Sequence, residues 1–546
     1  MTRKIDGIIV DCVSREIFPG FLELKQGRIV RVGRNSGELC QHTQCRYILP
    51  GFTDAHIHIE SSMLSPSSFA QAALRHGTIA TVSDPHEIAN VIGIRGIDYM
   101  LESAAQTPLK FHFGAPSCVP ATPFETAGAE LGVRDITELL NRSDIKFLAE
   151  MMNYPCVIQR NSQVMEKISS AKVAGKPIDG HAPGLRGEEL DRYIEAGIST
   201  DHETTELEEG REKLRKGLHL QLREGSAARN FDELFPCLSE YPEKCMLCSD
   251  DLHPDDLMKG HINLLVNRAL ERGAELFTVL RAASWNPRQH YGLDTGTLQI
   301  GDAADFIISS SLNPITVEET WIDGKCVFKN NQVIDFEQSK ETPNQFNATP
   351  INAASLKLAI PKQQTRIIEV TAGQIVTKES IETIGSGEET PAKHTATSVN
   401  KLVVLNRYKK AEPAIAFVRG FNLQRGAIAS SIAHDSHNII AVGSNDSDLA
   451  AAINMVVEEK GGVAVCNGNQ REILSLPVAG LMSLEGCREV ARKYQELNSM
   501  SRTLGSKLPA PFMTLSFLAL PVIPELRLTD KGLFDSRLFR FVNYMP

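Results

Sequence analysis

Long apolar runs are missing from this 546-residue sequence. The longest candidate, FMTLSFLALPVIP near the C-terminus, falls short of the roughly 18–20 residues a bilayer span requires and carries two prolines. No small-residue cleavage pattern follows MTRKIDGIIVD, and Asp6 interrupts its apolar run, so a strand is expected there instead of a signal peptide, and a cytosolic location with no membrane partner. Basic charge is not in excess. Lys and Arg number 57 against 67 Asp and Glu, a net charge of −10, which leaves no global field for binding nucleic acid. Cysteine is sparse and odd in number, 11 at irregular spacing, which excludes a complete disulfide framework. Cys245 and Cys248 form a CxxC inside the apolar run of KCMLCSDD with no second pair downstream, so they read as buried strand thiols. Internal repeats and low-complexity tracts are also lacking.

What is present is a globular composition, 42% hydrophobic and 23% charged, in a chain several times the size of a single core, so two or more domains are expected. Residues 1–48 hold short β-like runs with turn breaks, the first part of a small β-sandwich. Eight β-like runs follow within residues 49–295: ILPGFTDAHIH, TIATVSDPHE, KFHFGAPSCVP, IKFLAEMMN, KPIDGHAPG, GISTDHET, GLHLQLREG and KCMLCSDD. Helical segments such as SPSSFAQAALRHG separate them, which is the count and alternation of an α/β (β/α)₈ barrel. A doubly wound open sheet is the alternative, but it would not gather all eight strand ends around one point. Residues 296–337 return to short strands, the second part of the β-sandwich. Residues 338–400 are polar and turn-rich and read as a linker, and 401–546 as a C-terminal α/β or α+β domain.

Twelve of the 15 histidines precede residue 300. His56 and His58 end an apolar run, and residues two apart in a strand point to the same side, so both imidazoles can face one metal. HxH alone is a weak signal, and the other strand ends supply the complement. Glu150 closes IKFLAE, where an unpaired buried carboxylate is costly unless a cation offsets it; solvent exposure is the plainer reading. His181 and His202 each fall where a strand meets its loop, and with the HxH pair they make four imidazoles and a carboxylate, a set suited to two divalent metals bridged by Glu150. Asp250, at the eighth strand end, can ligate and also accept a proton from a metal-polarised water. Asp251 is adjacent; strand alternation allows only one to face inward, and Asp250 is favoured. Asp84-Pro85-His86-Glu87 ends the second strand: His86 is a candidate substrate contact. Glu87 is either a helix-capping residue or an acid kept protonated by burial to serve a substrate ring nitrogen. His112, His219 and His253 are further residues that could line the mouth, with no role assigned.

The assembled pattern, PGFTDAHIH, mid-chain strand-end histidines, SDD, WNPRQHYGL and GTLQIGDAADFII, resembles the amidohydrolase superfamily. HIHIESSML, SDPHEIANVIGIRG, LAEMMNYP, DGHAPGL, STDHE, SIAHDSHNIIAVG and ALPVIPELRLTDKGLFD are similar to its adenine deaminase family over nearly the whole chain. That resemblance implies hydrolytic deamination of adenine to hypoxanthine and ammonia, in purine salvage or catabolism, by a hydroxide that divalent metals activate. It implies two ions per chain, manganese foremost with iron or zinc as alternatives, and a purine as the small-molecule partner. His56, His58, Glu150, His181, His202 and Asp250 match the family's ligands, Asp250 also its proton-transfer residue, and Glu87 an acidic residue near the substrate. A homo-oligomer is expected. The competing functions are another amidohydrolase activity, on an amino sugar phosphate or a cyclic amide, and a non-catalytic scaffold. The former would need a phosphate clamp, for which Arg95, Arg160 and Arg186 on loops are candidates. His434-Asp435-Ser436-His437 reads as a loop turn, in a domain that could shape the active-site mouth or an oligomer interface.

Overall fold

The computed structural model describes residues 2–35, 46–358, 364–383 and 399–546. Eight parallel strands run in chain order: Phe52–Ile57, Thr78–Ser83, Lys110–Ala115, Ile145–Met151, Ile178–Gly180, Thr200–Asp201, His219–Arg223 and Cys245–Cys248. All eight coincide with the apolar runs of the sequence. The first five form one ladder and the last three another. Ser199 N–H donates to Ile178 O at 2.9 Å between the ladders, and Asp250 N–H donates to His56 O at 2.9 Å between the eighth strand and the first. The cylinder is thereby closed. Inside it Ala55, Val82, Phe147, Ala149, Met246, Cys248 and Tyr291 pack as one buried cluster, each fully buried Phe or Met side chain worth about 1.5–3 kcal/mol relative to exposure.

Helices return each strand to the next, and their starts are encoded locally. Pro66–Ala73, for example, has Pro at its first position and Ser65 as N-cap, whose hydroxyl accepts from Ser68 N–H at 3.3 Å. The two flanks of the barrel segment meet in one sheet. Tyr47–Pro50 pairs with Arg3–Asp11 on one side and with Phe306–Leu312 on the other, so both ends of the barrel segment join one eight-stranded sheet.

The C-terminal region is a second eight-stranded sheet, mostly antiparallel, carrying the helices Asp446–Glu458, Cys487–Thr503 and Pro511–Phe517. One sequence expectation needs correction here. Within the stretch read as a linker, Gln364–Val370 and Thr377–Thr383 are strands of this sheet, the former pairing in parallel with Ala414–Arg419. Thr377–Thr383 forms the sheet's edge, and its exposed positions such as Lys378 and Thr383 give it the polar composition of a loop; Gln364–Val370 lies beside it, paired on both sides. Residues 384–398, also assigned to that linker, lie outside the described residues. No helix among the described residues is long and apolar enough to cross a membrane.

Candidate active site

The C-terminal ends of the barrel strands converge, as the closed cylinder requires. His56 and His58 leave the first strand with their Nε2 atoms 3.2 Å apart. His58 Nδ1 donates to Asp84 O at 3.1 Å, which fixes the tautomer and leaves the Nε2 lone pair pointing into the site. Asp250 Oδ1 lies 3.6 Å from His56 Nε2 and 3.3 Å from His58 Nε2. Glu150 sits between two groups: Oε1 is 3.6 Å from His58 Nε2, and Oε2 is 2.9 Å from His181 Nδ1 and 3.1 Å from His202 Nε2. All six sequence candidates therefore meet at one mouth, and all but His181 are almost completely buried.

Two features aim this cluster. Asp54, on the first strand, accepts from Ser249 N–H at 3.0 Å and from His261 Nε2–H at 2.8 Å, latching the strand that carries His56 to the one that precedes Asp250. Asp250 itself adopts a left-handed backbone, φ 56°, which turns its carboxylate inward. Asp251 faces another way and accepts from Ser61 Oγ at 2.5 Å. Of the two aspartates, Asp250 is the one beside His56 and His58.

The electrostatics are those of a cation site. Burial alone would raise the pKa of Glu150, but His181 and His202 outweigh it and hold the carboxyl well below its usual range. For Asp250 burial is likewise overcome, here by Arg223 first and by His56 and His58 next. Imidazole lone pairs and ionised carboxylates packed together in a buried mouth fit divalent metals: the donors are nitrogen and oxygen, the sets of His56, His58 and Asp250, of His56, Glu150 and His202, and of His58, Asp84, His86 and Glu150 each bring their ligand atoms within 4.8 Å of one another, and Glu150 belongs to two of them.

Several neighbours were not legible as site residues. Arg223, at the end of the seventh strand, grips Glu203 with both guanidinium arms and donates to Asp250 Oδ2 at 2.5 Å. Glu203 in turn lies 3.6 Å from His202 Nε2. The signal available was an Arg closing an apolar strand, LHLQLR, where a buried cation needs an anion. Asp84 is a second: Oδ2 is 3.1 Å from His86 Nδ1, which also lies 3.3 Å from Glu150 Oε1. His86 is consequently buried at the mouth and engaged with three carboxylates, since its Nε2 also lies 3.6 Å from Glu87 Oε1.

Glu87 lies in the first turn of the helix His86–Ile92, and it departs from the alternative reading in which burial keeps it protonated. Burial does push its carboxyl towards the protonated form, but His434, His437 and His86 together outweigh burial and hold it well below its usual range. The two distal imidazoles come from the C-terminal domain, so no reading of the barrel alone could supply them. Among the remaining histidines, His253 borders a small cavity under the C-terminal domain, His112 is buried mid-strand, and His219 begins its strand and so lies at the opposite end of the barrel from the mouth. The proposed phosphate clamp is not assembled: Arg95 is exposed on the helix Ile94–Ala105, and Arg160 and Arg186 pair at the surface with Glu195 and Glu212.

The profile of the amidohydrolase family matches residues 47–327, and that of the adenine deaminase C-terminal domain matches residues 374–540. The chain is 51% identical to an adenine deaminase of Sulfurovum sp. (strain NBC37-1), over 98% of both chains. It belongs to the adenine deaminase family of amidohydrolases. Identity is 49% to an adenine deaminase of Salinibacter ruber, over 99% of this chain and 98% of the relative, and 48% to one of Methanosarcina mazei, over 99% of each. For this family member the likeness extends through the C-terminal domain, the part that supplies His434 and His437.

Proposed function

We propose that the protein converts adenine and water to hypoxanthine and ammonia, with His56, His58, Glu150, His181, His202 and Asp250 holding two divalent ions, manganese foremost and iron or zinc as alternatives. The observation that carries this reading is the inward convergence of those six side chains, all but His181 almost completely buried, in a chain 51% identical to an adenine deaminase over 98% of its length. Bound ions would lower the pKa of a coordinated water towards neutrality. Asp250, ionised and held by Arg223, takes a proton from the water that attacks the carbon bearing the exocyclic amine. Glu87, ionised in the free protein, takes up one proton from solvent as adenine binds and gives it to the adjacent ring nitrogen, so that the ring carries no full negative charge while that carbon is tetrahedral. Asp250 then returns its proton to the amine nitrogen, the carbon–nitrogen bond breaks and ammonia leaves. The hydroxyl proton goes back to Glu87 as the product carbonyl forms and is released to solvent with the product, so both carboxylates end ionised, as they began.

An amino sugar phosphate is disfavoured by the surface pairing of Arg160 and Arg186. A spectrophotometric assay of the manganese-loaded protein with adenine, an N-acetyl amino sugar phosphate and a cyclic amide tests the reading. Loss of the adenine absorption with ammonia release, and none with the other two, is expected; no turnover of adenine would reject it.

A further inference from the structure

The turn at residues 434–437 projects from the C-terminal domain onto the helix His86–Ile92 of the barrel. Two imidazoles of that turn each take one oxygen of the same carboxylate: His434 Nδ1 is 2.5 Å from Glu87 Oε1, and His437 Nε2 contacts Glu87 Oε2. All three side chains are almost fully buried. From this geometry we infer that His434 and His437 are positioning residues of the active site, through which the C-terminal domain fixes the direction of the Glu87 carboxyl. The inference rests on the assignment of Glu87 to proton exchange with the purine.

The surroundings of the turn are built for this task. Ala433 N–H donates to His437 Nδ1 at 3.3 Å, so that nitrogen carries a lone pair and the ring proton is on Nε2, directed at Glu87. His437 is held in a left-handed conformation, φ 52°, which a non-glycine residue adopts only when its neighbours over-determine it. The neighbours are present. His437 N–H donates to Ala433 O at 2.6 Å, and Arg407, fully buried, donates to His437 O at 3.2 Å and to Ala479 O at 2.6 Å. The His434 ring stacks on Phe517, centroids 4.6 Å apart and planes 15° off parallel. Asn438 Nδ2 donates to Thr126 O at 2.9 Å, tying the same turn to the loop after the third barrel strand. That loop lies directly on the helix bearing Glu87, and only glycine fits at 128, where a Cβ would sit 2.0 Å from Val91 O. A flexible glutamate is thus pinned at both oxygens by rings that are themselves pinned, an arrangement that costs order and serves no fold that a hydrophobic contact could not serve.

The contacting atoms define the test. Asn places its amide nitrogen where His Nδ1 lies, and Gln places its nitrogen where His Nε2 lies. We would measure kcat and KM for adenine, bound manganese and melting temperature for His434→Ala, His434→Asn, His437→Ala, His437→Gln, His437→Asn and Glu87→Gln in the full-length protein, and for the Glu87→Gln/His437→Ala double variant. Loss of alignment by about 1 Å typically costs about 10²-fold. The expected result is a kcat reduced about 10²-fold in each alanine variant with manganese content retained. His434→Asn and His437→Gln should recover most of the rate and His437→Asn little, and His437→Ala should add nothing to the loss in Glu87→Gln. Full additivity in the double variant, or alanine variants as active as the parent while Glu87→Gln is impaired, would overturn the inference and leave the role of Glu87 standing. A fully active Glu87→Gln would overturn both.

Discussion

Lys213 is completely buried beneath the loops that carry His181 and His202, and its removal should destabilise that part of the barrel before it affects anything else. Its ammonium donates to Glu209 at 2.6 Å, Ala182 O at 2.7 Å, and Asp201 and Thr204 Oγ1 at 3.1 Å each. Asp201 also accepts from Ala182 N–H at 2.8 Å and Thr204 N–H at 2.9 Å, so one ion pair ties the fifth strand's loop to the sixth strand's. Burial disfavours the ionised Asp201, yet Lys213 outweighs it and holds the carboxyl below its ordinary range. Lys213→Met keeps the stem and removes the charge, leaving two buried carboxyl groups without their cation. Breaking a buried pair in this way costs about 3–5 kcal/mol, or some two to three and a half decades in the local opening constant. Hydrogen exchange followed by mass spectrometry on peptides spanning residues 178–223 reads that constant directly. The Asp201→Asn/Lys213→Met double variant should be less destabilised than Lys213→Met, because it removes one of the uncompensated charges. Protection in Lys213→Met within about 0.5 kcal/mol of the parent would refute the reasoning.

Further outcomes are expected. Asp250→Asn keeps the shape of the side chain but not its basicity, and should lower kcat by about 10²–10⁴-fold, while Asp251→Asn, outside the ligand cluster, should cost far less; steady-state kinetics on adenine compares them. His434 has its pKa raised to about 9: burial lowers it, but the Glu87 carboxylate more than compensates. A raised folded-state value means the contact is at full strength below the unfolded pKa of about 6.5 and is lost as pH rises through about 9, a contribution of about 3 kcal/mol. Melting curves should therefore show the parent losing stability between those limits more steeply than His434→Asn. Gly128→Ala forces its Cβ onto the Val91 carbonyl and should lower the melting temperature measurably, with activity falling as the helix of Glu87 shifts.

The metal-ligand candidates were legible because strand geometry makes them so. His56 and His58 share a face by the two-residue period, and apolar runs ending in Glu150, His181, His202 and Asp250 announce strand ends that a closed barrel must bring together. Asp250 over Asp251 could be favoured, but the left-handed turn that decides it is a backbone feature. The protonation of Glu87 could not be read, because its partners lie more than 340 residues away and belong to another domain. Burial was the only influence visible locally, and it has the opposite sign to the net effect. The strands at 364–370 and 377–383 were hidden for a similar reason: their pairing, not their own polarity, makes them strands.

The central claim is that Glu150 joins two groups of imidazoles around a pair of ions on which deamination depends. Elemental analysis of the purified parent and of Glu150→Gln, with adenine turnover measured on the same samples, addresses it most directly. The parent should hold about two divalent ions per chain, and the variant should lose metal and turnover in parallel while its C-terminal domain remains folded. Unchanged metal content in Glu150→Gln, or full turnover by metal-free protein, would contradict the account.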